Sequence, residues 1–137
     1  MKISTKGRYG LNAMYYLALK NDGEPMSLRE LADKTSVTQP YLEKVLGILR
    51  RHKLVITTRG VMGGYTLAKS PCDITIGQIL RALESDLVFS DCAKTGKCGN
   101  PKCRNKSIFK IIYDKLNTVL DEITLQQMIE NEGEING

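Results

Sequence analysis

A chain of 137 residues has room for one modest domain, alone or with a small appended element, and not for several large ones. Its net charge of +5 is unevenly divided: residues 1–69 hold 12 Lys and Arg against 5 Asp and Glu, whereas residues 70–137 hold 8 against 10. A basic N-terminal half favours a polyanionic partner docked at one end of the molecule, with a merely soluble basic surface as the alternative.

Several classes of protein are excluded by the composition. No apolar run is long enough to cross a membrane, and the N-terminus lacks the apolar core of a signal peptide, so we expect a cytoplasmic protein without a membrane partner. The four cysteines are then expected to be reduced, metal-bound or redox-active. Because the chain has no Cys-x-x-Cys pair, no cysteine–histidine pair and no glycine-rich phosphate loop, we expect neither an enzyme nor a small-molecule substrate.

The N-terminal half is predicted to begin with two helices. Apolar residues at helical spacing predict the first over residues 4–20, and the turn-forming segment 21–25 ends it. Ser27 and Glu30 fit a capping box, in which each side chain bonds the other residue's backbone amide. That box opens a short second helix.

A third helix and a hairpin complete the predicted DNA-binding unit. After a polar break, a helix is predicted over residues 39–52, with an apolar stripe formed by Leu42, Val45, Leu46 and Leu49. Residues 54–58 and 64–68 then read as two strands joined by a glycine-rich turn. A helix-turn-helix followed by such a hairpin is a winged helix.

The C-terminal half is predicted to hold a short helix, a loop and a long helix. Thr75 and Gln78 fit a second capping box. A cysteine-bearing loop follows over roughly residues 86–104, then a long helix over 105–123 and a last helix that starts at Thr124 before a frayed polar tail.

We therefore predict a mainly α fold with a small β-hairpin. The units are a winged helix-turn-helix domain over 1–84, a cluster loop over 85–104, and a dimerisation helix with a C-terminal tail over 105–137. The apolar arc of the long helix is wider than one packed face needs, so part of it should pair with a second subunit of a homodimer. The alternative is a helix packed wholly within its own chain.

DNA contacts are predicted from the third helix, the turn of the wing and the basic residues around them. The helix should enter the major groove by its N-terminal end, where the side chains that point away from the core are Gln39, Tyr41, Glu43 and Lys44. Glu43 either accepts from a cytosine amino group or pairs with a lysine of its own helix. Arg59 either enters a narrow minor groove or stays solvated in its loop. The expected phosphate contacts are Lys6, Arg8, Arg50, Arg51 and Lys53.

Three cysteines lie in a segment almost free of large apolar side chains, namely Cys92, Cys98 and Cys103. Thiolates in a flexible, lysine-rich loop suit a soft metal or an iron–sulfur cluster. Zinc is the alternative, although its sites favour shorter spacings. Cys72, which stands outside this loop, is expected to be a structural or bystander thiol.

Several motifs carry a family resemblance. The first ten residues, the tripeptide from Tyr41 to Glu43, and the Arg-Gly-x-x-Gly-Gly-Tyr motif ending at Tyr65 resemble one family of winged-helix bacterial regulators. That family is typified by the iron–sulfur regulator IscR, the nitric oxide sensor NsrR and the cysteine-metabolism repressor CymR. The similarity spans nearly the whole chain and is greatest to the IscR-like branch.

The resemblance implies a homodimer whose long helices cross and whose winged domains read a near-palindromic site in double-stranded DNA. IscR-like members hold a [2Fe–2S] cluster through three loop cysteines, which correspond to Cys92, Cys98 and Cys103. Glu43 corresponds to a glutamate that distinguishes two classes of DNA site, and Arg59 to an arginine of the minor groove. The implied function is a transcriptional regulator, such as a repressor, that senses cluster status or redox and nitric oxide stress.

The chain departs from the family pattern at the fourth cluster ligand. Lys106 stands near the position of the ligating histidine of IscR-like proteins, and Arg8 lies where NsrR-like proteins supply an aspartate. The candidates left open are Asp91, Asn105, Cys72, a backbone or water ligand, and an exogenous thiol. A [4Fe–4S] cluster, bound zinc, and a metal-free thiol-redox repressor acting through a protein partner also remain open.

Overall fold

The computed structural model describes residues 2–20, 22–85, 87, 90–97 and 99–136. These residues form seven α-helices and one two-stranded antiparallel sheet. In chain order the elements are α1 (Thr5–Lys20), α2 (Leu28–Thr35), α3 (Gln39–Arg51), β1 (Val55–Thr58), β2 (Gly64–Leu67), α4 (Ile76–Leu83), α5 (Asp91–Thr95), α6 (Lys106–Glu122) and α7 (Leu125–Asn136). The predicted mainly α fold with a small hairpin is confirmed.

Helices α2 and α3 form the helix-turn-helix. Ser27 Oγ accepts from Glu30 N at 3.1 Å, which is one half of the predicted capping box. Ser36 adopts a left-handed conformation at the end of α2 (φ 58°), and the chain then turns into α3. The predicted apolar stripe of α3 is fully buried and packs in the core formed with α1 and α2.

The wing is joined to the helical body by a backbone bridge. Strands β1 and β2 pair in register from Val55–Leu67 to Thr58–Gly64. Met26 N donates to Tyr65 O at 2.9 Å, and Tyr65 N donates to Met26 O at 2.8 Å. A Cβ at Gly64 would overlap the Met26 carbonyl oxygen, so glycine is required for this close approach. This isolated bridge ties β2 to Met26, just before the N-cap of α2, so the wing is fixed to the helix-turn-helix.

The C-terminal half contains one helix that the sequence did not predict, and a last helix that starts where predicted but is longer than expected. Helix α5 lies inside the segment expected to be a loop. Helix α7 continues to Asn136, where a frayed tail was expected from about residue 130. Leu125 is fully buried in the common core, because α7 packs against α1. This tertiary contact gives α7 a packed face, which a polar sequence alone does not predict.

Helix α4 packs against α1, α3 and α6. Its capping box is complete, since Gln78 N donates to Thr75 Oγ1 at 3.1 Å and Thr75 N donates to Gln78 Oε1 at 3.0 Å. Arg81 on its outer face bonds Asn117 Oδ1 at 2.8 Å and also pairs with Asp121, both on α6. The same short helix therefore contacts both helices α1 and α3 of the winged-helix unit and the long helix α6.

The close packing of α1 on α4 predicts opposite effects for two helical glycines. A Cβ at Gly10 would overlap the side chain of Leu83, which is 2% exposed, whereas a Cβ at Gly47 would meet only Arg51 Nη1 at 3.8 Å. Gly10→Ala should lower the free energy of unfolding by roughly 1–3 kcal/mol through overpacking. Gly47→Ala should raise it by up to about 1 kcal/mol, because alanine favours a helix more than glycine does. Urea unfolding followed by circular dichroism measures both, and equal stabilities would contradict the prediction.

Candidate DNA interface and cysteine loop

The N-terminal end of α3 presents polar side chains to solvent. Gln39, Glu43 and Lys44 are exposed, as predicted for residues that read a DNA groove. Tyr41 is half-buried, and its ring packs edge-to-face against Tyr9 of α1 with centroids 5.7 Å apart. Tyr41 therefore also ties α3 to α1.

The basic residues predicted to contact DNA phosphates or the minor groove lie near the ends of α1 and α3 and on the wing. Arg8, Arg50, Arg51, Lys53 and Arg59 are exposed, whereas Lys6 is half-buried. Lys6 and Lys44 line one open cleft of about 480 Å³ with Tyr41 and Glu84. The structure thus brings the starts of α1 and α3 together on one surface.

Glu43 also lies close to the wing. Burial of the phenol is the main cause that raises the pKa of Tyr65, the negative charge of Glu43 raises it further, and the positive charge of Arg50 opposes them. Within the part of the chain that the structure describes, Glu43 forms no ion pair, including none with a lysine of its own helix. Its carboxylate is exposed to solvent on α3, near the β2 strand of the wing.

A contact that the sequence analysis missed joins α1 to the end of α4. Ser4 donates to Glu84 Oε1 from its backbone nitrogen at 2.9 Å and from its hydroxyl at 2.7 Å. Gly7 N donates to Ser4 Oγ at 3.1 Å, so Ser4 caps α1, and a Cβ at Gly7 would overlap the Glu84 carboxylate. Eighty residues separate Ser4 from Glu84, and no local pattern relates them. In the sequence, the one hint of this contact was Gly7, whose missing side chain leaves room for the Glu84 carboxylate.

The cysteine loop is partly structured. Cys92 lies on α5 with its Sγ 3.2 Å from Ser90 Oγ, and the neighbouring Ala93 is only 1% exposed because α5 packs against α6. Cys103 precedes α6 in a turn closed by its own N–H, which donates to Asn100 O at 3.1 Å. Both thiols are free and half-buried, and neither belongs to the apolar core. The predicted ligand Cys98 lies outside the described residues.

The surface beside Cys103 is strongly cationic. An open concavity of about 310 Å³ is lined by Cys103, Arg104, Lys106, Ser107 and Lys110. Asn105 begins α6 but its exposed side chain makes no capping hydrogen bond. Cys72 is exposed on a 3₁₀ turn (Pro71–Asp73) that packs against α7, not on the loop. Among the described residues, which omit Cys98, no group of three His, Cys, Asp or Glu side chains is arranged to hold a metal.

Comparison with known proteins identifies the family. A model of the Rrf2 family, described as an iron-dependent transcriptional regulator, matches residues 3–131. The chain belongs to the Rrf2 family. The HTH-type transcriptional regulator IscR of Escherichia coli O1:K1 is 31% identical over 133 residues, which cover 96% of this chain and 82% of that protein. This Rrf2 protein is therefore a transcriptional regulator of the DNA-binding winged-helix type, and the predicted resemblance is confirmed.

Solved structures agree with this assignment. CymR of B. subtilis, a global cysteine regulator, superposes with a TM-score of 0.83 at 35% identity, covering 96% of this chain and 98% of CymR. T. potens IscR superposes with a TM-score of 0.79 at 36% identity, covering 100% of this chain and 92% of that one. An oxidised form of Staphylococcus aureus CymR gives 0.75 at 35% identity, covering 95% and 97%. None of the helices described for this Rrf2 chain has the length and hydropathy to span a bilayer.

The Ser4–Glu84 contact predicts a specific loss of stability. Glu84→Ala removes the acceptor of two hydrogen bonds and should lower the free energy of unfolding by roughly 1–3 kcal/mol. Glu84→Gln keeps a carbonyl oxygen at the same position and should lose less. Urea unfolding at matched protein concentration gives the totals, and hydrogen exchange at the first turn of α1 localises the change. Wild-type stability and exchange in the alanine variant would contradict the assigned contact.

Proposed function

We propose that this Rrf2 protein is a homodimeric regulator whose affinity for operator DNA responds to an iron–sulfur cluster held by Cys92, Cys98 and Cys103. One observation carries the proposal: the cysteine loop joins the end of α4, which packs on the DNA-binding unit, to the start of α6, and its two described thiols are free and half-buried. Structural thiols would instead lie in the apolar core.

The donor chemistry of the loop fits a cluster. Thiolates are the usual protein ligands of iron–sulfur clusters, and a bound cluster supplies an anionic, redox-active iron centre. The cations beside Cys103 would offset such negative charge, and α5, which carries Cys92, packs against α6. We prefer Asn105 as the fourth ligand, because its side-chain amide is exposed, makes no capping hydrogen bond and lies two residues from Cys103. The alternatives are Asp91, Cys72 and an external ligand.

The coupling route that we propose runs through α4. Glu84 lines the open cleft next to Lys44 of α3, and it also lines a second cavity of about 180 Å³ next to Lys94 of α5. An altered loop would act on Glu84, on its bonds to Ser4, and so on the start of α1. Regulation requires that the protein bind DNA with different affinity in the two states of the loop. A difference in loop mobility alone would not be enough.

The DNA-binding surface that we propose combines three elements. The start of α3 enters the major groove with Gln39, Glu43 and Lys44, and Tyr41 positions it against α1. The exposed Arg59 of the wing enters the minor groove. The flanking phosphates are contacted by Lys6, Arg8, Arg50 and Arg51.

Helix α6 supports the proposed homodimer. No residue of this helix is buried, although one stripe of it is apolar. The exposed members of the stripe are Ile108 (49%), Ile111 (48%) and Val119 (48%), and Ile123 (37%) extends it just past the end of the helix. A second copy of the helix is the occupant that a two-fold DNA-binding regulator would supply.

A metal-free thiol switch is the second candidate. The free, half-buried thiols of Cys92 and Cys103 support it, and the similar S. aureus CymR has been solved in an oxidised form. In that function, oxidation of the cysteines or a protein partner would replace the cluster as the signal. Bound zinc is the remaining alternative for the same donor set.

Cysteine substitutions separate these possibilities. After anaerobic purification, the wild-type protein should be coloured and contain iron and sulfide, whereas Cys92→Ser and Cys103→Ser should be colourless with unchanged circular dichroism, because each removes a ligand but no core contact. Cys72→Ser removes an exposed thiol outside the loop and should keep the colour if Asn105 is the fourth ligand, whereas loss of the colour would assign that role to Cys72. Binding to duplexes enriched from a random pool should differ between the coloured and colourless forms.

Each contrary result points to a different account. A colourless wild-type protein with stoichiometric zinc would replace the cluster by zinc. A wild-type protein without metal whose DNA affinity changes on thiol oxidation would favour the thiol switch. Equal DNA affinity with and without the cluster would remove sensing and leave only DNA binding.

The apolar stripe of α6 predicts the oligomeric state. Ile111→Asp with Val119→Asp should convert the dimer to a monomer in sedimentation velocity, because the partner helix would have to bury two carboxylates. Leu19→Asp introduces the same chemical change at a comparably exposed site on α1 (55% exposed) and should leave the dimer intact. A monomeric wild-type protein, or a dimeric double variant, would contradict the assignment.

A further inference from the structure

The turn of the wing carries two apolar side chains that lie almost wholly in solvent. Val61 is 102% exposed and Met62 is 86% exposed, the two highest values among the exposed large apolar residues of the described structure. Single apolar residues on a surface are ordinary. Two adjacent ones at the tip of a DNA-reading hairpin, beside Arg59, require a different explanation.

The tip is a closed turn, so the exposure of these side chains is not that of a loose loop. Gly63 N donates to Gly60 O at 3.0 Å and closes a tight turn around Val61 and Met62. Gly60 adopts a positive φ of 110°, and a Cβ at Gly63 would overlap the Thr58 carbonyl oxygen. The turn therefore fixes the backbone of Val61 and Met62 before any partner binds, which lowers the entropic cost of binding.

The charge around the tip favours DNA as the partner. Residues 53–69 contain three cations, Lys53, Arg59 and Lys69, and no aspartate or glutamate. A wing of this charge is attracted to phosphates on both sides of a groove. The minor groove is about 6 Å wide, and the sugars that form its walls present apolar C–H surface.

We propose that Val61 and Met62 form an apolar wedge that enters the minor groove of the operator beside Arg59. The wedge packs against the sugar walls and loosens the stacking of the adjacent base step, as apolar side chains of other minor-groove proteins do. Flexible pyrimidine–purine steps at that position would then bind best, because they unstack most easily. This inference deepens the proposed DNA-binding function and rests on it.

Salt dependence distinguishes the wedge from a charged contact. The probes are duplexes enriched from a random pool by the wild-type protein, and affinity is measured by fluorescence anisotropy at several salt concentrations. Val61→Ser with Met62→Ser should weaken binding roughly five- to thirtyfold, because apolar burial is lost. The slope of log K against log salt should stay the same, since every phosphate remains neutralised. Arg59→Ala should weaken binding and flatten the slope by about 1 for each phosphate that a wing no longer neutralises.

Two controls make the result specific. Leu19→Ser removes an exposed apolar side chain (55% exposed) at the far end of α1 and should leave affinity unchanged. A 2-aminopurine placed at the base step under the wing should brighten when the wild-type protein binds, and should not brighten with the double variant. Both serine substitutions lie at exposed positions, so folding is not expected to change.

The outcomes separate failure of the wedge from failure of the proposed function. If the wild-type protein enriches a duplex but the double variant binds it within twofold and with the same fluorescence, the wedge is wrong and DNA binding stands. If the double variant keeps full DNA affinity but loses a protein partner, the tip is a protein contact and the wedge is equally wrong. If the wild-type protein enriches no duplex, the proposed function fails, and the wedge fails with it.

Discussion

The close packing of α4 against both α1 and α6 is the constraint on which the rest of the structure depends. On one side, Gly10 leaves room for Leu83 and Gly7 leaves room for the Glu84 carboxylate. On the other, Gly77 lies beside Asp121 and the backbone carbonyl of Leu120. Because a Cβ at any of these glycines would collide with its neighbour, the helices can approach this closely only where side chains are missing. Helix α4 is thus in close contact with α1 at one face and with α6 at another.

Helix α3 and the wing, the two elements proposed to read DNA, are held by the same helical core. Helix α3 is held through its buried stripe and through the contact between Tyr41 and Tyr9, and the wing is held by the backbone bridge between Met26 and Tyr65. The distance between α3 and the wing is thus set by the packed core and not by the cysteine loop. The described cysteines of the loop lie outside that core, in the segment between α4 and α6, and in the proposed function a change in the loop would act on both helices. Such a division would suit the proposed sensor, because the site that changes is separate from the core that must remain folded.

Local patterns predicted most of the helices and the hairpin. The stripe of α3, the capping residues Ser27 and Thr75, and the glycine-rich turn before Tyr65 all act within a few residues of the chain, so the sequence was sufficient for them. Helix α5 was missed because five residues are too few to show a helical period. The start of α7 was predicted at Thr124, but its continuation beyond about residue 130 was missed, because that stretch is polar and a polar sequence alone does not predict a helix there.

The sequence by itself determined the class of protein: a basic winged helix with an apolar long helix and a thiol-bearing segment between them. Composition, periodicity and motif spacing are local properties, and they sufficed to identify the types of residue that could contact DNA or bind iron. Only the tertiary structure decided how those parts are connected. The bonds between Ser4 and Glu84, the position of Glu43 beside Tyr65, and the exposure of Val61 and Met62 each depend on where distant segments meet or fail to meet. Such contacts arise from packing between elements, which no pattern along the chain encodes.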